Sequence, residues 1–174
     1  MKKAKVLLSL LLVLCMLLSL IPSTFATGNE GEIVILFTSD VHTYVNGKLS
    51  YDKVAHLKTE TEKTATGVLL VDAGDHIQGT DYGKADEGEN VMKLMKAAGY
   101  DLATLGNHEF DYGMKRALEI TDADTYGIPY VCCNFYHEKD GIRGENVLDS
   151  FKLFDCGEEQ IAIIGITTPE SVTK

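Results

Sequence analysis

The apolar positions of this chain fall into short unbroken runs separated by longer amphipathic stretches. Residues 33–37 and 68–71 are continuous apolar runs, the pattern of strands buried on both faces. Residues 102–105 and 128–133 read as a third and a fourth strand, the last containing Pro129. Between them the period changes to that of helices. Residues 51–64 place Val54, Leu57 and Thr61 on one face, and residues 89–98 do the same with Val91, Leu94, Met95 and Ala98 before a stop at Gly99. A third helix is predicted over 114–126, closed by Gly127. Residues 151–155 and 160–166 suit an antiparallel hairpin turning at Gly157. Strands alternating with helices imply an α/β fold around a largely parallel sheet with right-handed crossovers.

The first 26 residues stand outside this pattern. Lys2, Lys3 and Lys5 precede an apolar stretch over 6–21, and small residues follow at Thr24 and Ala26. That layout reads as a secretory signal peptide over 1–26 cleaved after Ala26. The apolar stretch is shorter than the roughly 20 residues that span a bilayer, so no stable membrane span is expected after cleavage. Residues 27–31 read as a flexible start, and 32–174 as one domain. Export permits disulfides, but the three cysteines left, Cys132, Cys133 and Cys156, are odd in number and lack a Cys-x-x-Cys spacing. They read as small buried strand residues; a bridge from Cys132 or Cys133 to Cys156 is the alternative. The formal charge of −10 argues against a nucleic-acid polymer as partner.

The chemistry is concentrated at the ends of the first three strands. These read Thr38-Ser39-Asp40-Val41-His42, Asp72-Ala73-Gly74-Asp75-His76 and Gly106-Asn107-His108-Glu109. Open α/β sheets bind ligands beyond the carboxyl ends of their strands, so the three clusters are expected to converge. Asp40 and His42, two apart, would point the same way on extended chain and could chelate one ion. Asp75 could bridge two ions, and Asn107 offers a neutral amide oxygen. Such a set of O and N donors suits zinc, manganese or iron. Each cluster alone has a plainer reading, as a helix cap or a turn. Their order, each after a buried strand, favours a metal site.

Asp-x-His, then Gly-Asp, then Gly-Asn-His-Glu resembles the first half of the signature of calcineurin-like metallophosphoesterases. The longer strings Asp72-Ala73-Gly74-Asp75-His76-Ile77-Gln78-Gly79-Thr80 and Ala103-Thr104-Leu105-Gly106-Asn107-His108-Glu109-Phe110-Asp111-Tyr112-Gly113 look like the secreted branch containing 5'-nucleotidases, UDP-sugar hydrolases and 2',3'-cyclic-nucleotide phosphodiesterases. Gly165-Ile166-Thr167-Thr168-Pro169-Glu170 is also similar to that branch. The resemblance implies the N-terminal part of a four-layer α/β/β/α sandwich and two divalent metal ions. Asp40 and His42 would hold the first ion, Asp75 would bridge, and Asn107 would bind the second. His108 matches the catalytic histidine and Asp111 its partner. The implied reaction is hydrolysis of a nucleotide or related phosphoester by a metal-bound water. Glu109 is expected to support its loop, and His76 to back the site or face solvent. His56 on a helix and His137 in a polar loop are expected to be ordinary surface residues.

The family pattern continues with a lone histidine and a Gly-His-x-His-like segment, neither of which is found here. The chain is therefore expected to be a fragment of a product whose remainder completes the metal ligands and adds a C-terminal nucleotide-binding domain. Residues 27–174 alone are expected to bind metal weakly and to hydrolyse little. Two alternatives keep the scaffold: a hydrolase of sugar nucleotides or cyclic nucleotides, or a secreted non-catalytic module. Retention of both His108 and Asp111 weighs against the module.

Overall fold

The computed structural model describes residues 31–169. The predicted leader and all but the last residue of the flexible start lie outside the described residues. Strands β1 (Ile33–Thr38), β2 (Gly67–Asp72) and β3 (Leu102–Ala103) pair in parallel, in the order β1-β2-β3. Helix α1 (Tyr51–Glu62) joins β1 to β2; α2 (Asp81–Lys84) and α3 (Glu89–Ala98) join β2 to β3. Leu36, Leu70 and Ala103 of the sheet pack with Val54, Val91, Met92, Met95 and Ala98 in one core. Burying a side chain of Val, Leu or Met size contributes about 1.5–3 kcal/mol. An ion pair fastens the layers. Lys58 Nζ on α1 lies 2.8 Å from Asp101 Oδ2, which also accepts the Leu70 N–H of β2 at 2.7 Å.

After β3 the chain departs from its sequence pattern in three places. The third strand stops at Ala103, and 128–133 forms only bridges, Tyr130 with Ala103 and Val131 with Asp149. Pro129 has no N–H to give a ladder, and its carbonyl takes the Ala103 N–H at 3.0 Å. The helix predicted over 114–126 is two helices, α4 (Met114–Ile120) and α5 (Ala123–Tyr126). Asp122 breaks it: its side chain accepts the Asp124 N–H at 3.0 Å and caps α5. Residues 136–146, left without structure by the sequence pattern, form an antiparallel hairpin of β4 (Tyr136–Lys139) and β5 (Ile142–Asn146). Its signal was the dipeptide Asp140-Gly141, whose φ values of 55° and 76° are those a two-residue hairpin turn demands. His137 is thus a strand residue. Strands β6 (Phe151–Cys156) and β7 (Glu159–Ile164) pair antiparallel, as expected.

Among the described residues Cys132, Cys133 and Cys156 are free thiols, Cys132 and Cys156 buried and Cys133 half-buried. No helix among the described residues is long and apolar enough to cross a membrane.

Candidate metal centre

Three loops leave the carboxyl ends of β1, β2 and β3 and are stitched together by backbone hydrogen bonds. Asp40 N–H donates to Gly74 O at 3.1 Å, and His42 N–H to Asp75 O at 2.9 Å. The loops approach so closely that glycine is required where they touch. A Cβ on Gly74 would lie 2.3 Å from the Gly106 nitrogen, and one on Gly106 would lie 2.2 Å from Asp75 Oδ1. His108 N–H donates to the same Asp75 oxygen at 2.8 Å.

Side-chain donor atoms of His42, Asp75 and His108 lie within 4.8 Å of one another. The two imidazoles meet edge to face, ring centres 5.0 Å apart. His42 Nδ1 is 3.0 Å from Gln78 O, which fixes Nδ1 as the protonated nitrogen and leaves Nε2 with a lone pair. A carboxylate and an imidazole lone pair at this separation suit a divalent cation of the zinc, manganese or iron kind. His108 Nδ1 is 2.6 Å from Asp111 Oδ2. That contact orients the ring and keeps Nε2 turned away from the carboxylate.

Asp40 stands apart from this cluster. It is exposed and its Oδ2 accepts the Ser39 hydroxyl at 2.5 Å. The extended backbone expected at 40–42 is not found. Asp40, His42 and Thr43 take φ values of 55°, 47° and 60°, in the left-handed region, so the alternation of faces on extended chain does not apply there. Asp75 is likewise left-handed, at 60°. Backbone of this kind persists only where the surroundings over-determine it, and here it coincides with the convergence of three loops. Asn107 opens a short 3-10 turn over His108–Phe110 and is half-buried.

Behind the cluster lies a buried polar network whose extent the sequence did not reveal. Glu109 is fully buried and its carboxylate accepts the N–H groups of Asp75 and His76 at 2.8 Å and of Gly106 at 2.6 Å. His76, far from facing solvent, is also fully buried. Its Nδ1 lies 2.7 Å from Asp72 Oδ1 and 3.6 Å from Glu109 Oε1, and its Nε2 lies 2.7 Å from Tyr130 Oη. Tyr130 Oη also lies 3.4 Å from Met92 Sδ. Burial alone would depress the His76 pKa, but Glu109 and Asp72 outweigh it and push it up to about 9. Thr43, 1% exposed, pairs its hydroxyl with that of Thr80 at 2.6 Å and holds the His42 loop against the Gln78 loop.

Residues 33–164 match the calcineurin-like phosphoesterase family. The chain belongs to that family. The chain is 34% identical over 158 residues to the snake venom 5'-nucleotidase of Gloydius brevicauda, an alignment covering 80% of this chain and 26% of that enzyme. Among solved structures it is similar to a 5'-nucleotidase precursor from Thermus thermophilus, with TM-score 0.66, 25% identity, and coverage of 79% and 29% of the two chains. It is also similar to the NAD nucleotidase of Haemophilus influenzae, with TM-score 0.63, 29% identity, and coverage of 79% and 27%. The chain thus spans about a quarter of the length of the relatives it matches.

Proposed function

We propose that the protein is an exported, metal-dependent phosphoester hydrolase acting on 5'-nucleotides, with two divalent ions held by Asp40, His42, Asp75 and Asn107. The observation that carries this reading is the convergence of His42, Asp75 and His108 within 4.8 Å in a chain similar to 5'-nucleotidases. When bound, divalent ions would lower the pKa of the attacking water and draw charge from the phosphoryl oxygens. The residues have the remaining work. The His108 amide holds the Asp75 carboxylate, which would be one of the metal ligands. His108, aligned by Asp111, presents Nε2 to the developing charge on the phosphoryl group or leaving oxygen. Asp40 would have to turn from Ser39 to join His42, a side-chain rotation on an exposed residue. Export rests on the basic and apolar pattern of residues 1–26.

The test is phosphate release from AMP by the intact protein, stripped with EDTA and reloaded with Mn2+, Zn2+ or Fe2+. Activity is expected to vanish on stripping and to return with at least one metal. Because of the likeness to an NAD nucleotidase, a dinucleotide pyrophosphate joins the substrate panel, beside a sugar nucleotide and a cyclic nucleotide. A protein that releases phosphate or nucleoside from none of them with any of the three metals is not this enzyme.

A further inference from the structure

We propose that Glu109 is the positioning residue of this centre, its carboxylate clamping the ends of β2 and β3 so that Asp75 and His108 stay face to face. The inference rests on the metal-site reading given above, and it assigns Glu109 no contact with metal or substrate.

The geometry is specific to a carboxylate. Glu109 Oε2 takes the N–H of Asp75 at 2.8 Å and of Gly106 at 2.6 Å, one from each loop. Oε1 takes the N–H of His76 at 2.8 Å and, more distantly, that of Ile77 at 3.4 Å. The donors from Asp75 and His76 straddle the left-handed backbone at Asp75, a conformation that non-glycine residues rarely adopt. A buried anion is costly unless several donors meet it, and this one meets four with the His76 ring 3.6 Å away. Glutamine has the same shape but only one acceptor oxygen, and its amide would aim N–H groups at N–H groups. An ordinary loop buttress needs fewer bonds and has no reason to join the two loops that meet at the metal cluster.

The experiment compares Glu109→Gln, Glu109→Asp and Lys58→Met in the intact protein. Lys58→Met breaks the Asp101 ion pair, remote from the site, and serves as a control for lost stability alone. Amide exchange at Asp75, His76 and Gly106 is measured without metal. Mn2+ binding is titrated well below each variant's Tm. Glu109→Gln is expected to lose protection at all three amides and to bind Mn2+ about 10–100-fold more weakly, the scale for removing a supporting partner of a ligand. Glu109→Asp keeps the charge on a shorter arm and should fall between; it carries the test should Glu109→Gln not fold. Lys58→Met should lower Tm and leave both readouts at wild-type values. Wild-type protection and Mn2+ affinity in Glu109→Gln would overturn the proposal, as would equal Mn2+ weakening in Lys58→Met. A wild-type protein that takes up no Mn2+ would instead overturn the metal reading. The clamp would then be judged by exchange alone, and undiminished protection in Glu109→Gln would overturn it.

Discussion

With Asp111 Oδ2 at 2.6 Å from its Nδ1, the His108 imidazole keeps Nε2 turned away from the carboxylate. On the proposed function the pair acts as a unit, and its mutants should show it. His108→Ala is expected to lower kcat for metal-dependent hydrolysis by about 10²–10⁴-fold, the usual contribution of one positioned acid or base, with a smaller change in KM. Asp111→Ala should cost less, since the ring remains. The double variant should be little worse than His108→Ala in activity, because the alignment Asp111 gives is exerted through that ring. Full additivity would show that Asp111 acts on something other than His108. At this scale the sequence was informative about residue types and their order along the chain. It marked Glu109 as a support of its loop but not the four backbone donors its carboxylate collects, and it was silent on Thr43, because a buried carboxylate looks, in sequence, like any glutamate in a turn. It expected extended backbone at 40–42, where a spacing of two means one shared face, and the φ values there are left-handed instead. The left-handed φ values there come from contacts with the Gly74 and Gln78 loops, distant in sequence.

Elements are fixed to one another here as much by ion pairs at their ends as by the core. Glu89 opens α3 and receives Arg116 Nη2 of α4 at 3.2 Å, Lys93 Nζ at 3.1 Å and the Tyr126 hydroxyl of α5. The hydrogen bond from Tyr126, then that from Lys93, holds the Glu89 carboxyl down at about 2, against an ordinary value of 4.5. A depressed carboxylate stabilises the fold fully above its unfolded pKa and loses that contribution as pH falls through the folded one. Wild type should therefore exceed Glu89→Gln in Tm at pH 6, and the gap should narrow below pH 4.5 and close near pH 2. The side chain is about a third exposed, so the advantage should stay under about 1 kcal/mol. A gap that widens on acidification would contradict the assignment. The same helices show why periodicity located elements better than boundaries. An apolar repeat runs from Ala117 through Ile120 to Tyr126, all buried, across a break it cannot register. The break belongs to Asp122, whose side chain competes for backbone N–H groups that a continuous helix would use.

Across the whole molecule the helices cover one face of the parallel sheet, and the other face stays apolar. Leu36 faces the core, whereas its neighbours in β1, Ile35 and Phe37, are 46% and 71% exposed. They line an open groove with Val71, Leu102, Val131 and Ile164, and Ile164 is itself 62% exposed. Parallel sheets occur with both faces covered, and an apolar patch of this kind marks a contact surface. The continuous apolar runs at 33–37 and 68–71 already carried this information, since strands half-facing water alternate instead. The four-layer sandwich implied by the family resemblance would lay a second sheet there. Residues 27–174 expressed alone should therefore bind the dye ANS strongly and self-associate as concentration rises. Phe37→Lys combined with Ile164→Lys should reverse both effects with little change in Tm, because neither side chain touches the helix-side core. Sedimentation and ANS fluorescence across a dilution series decide the matter. A monodisperse, ANS-dark polypeptide would mean that this face closes on itself in solution, and the open groove would then be no guide to how the molecule buries its second layer.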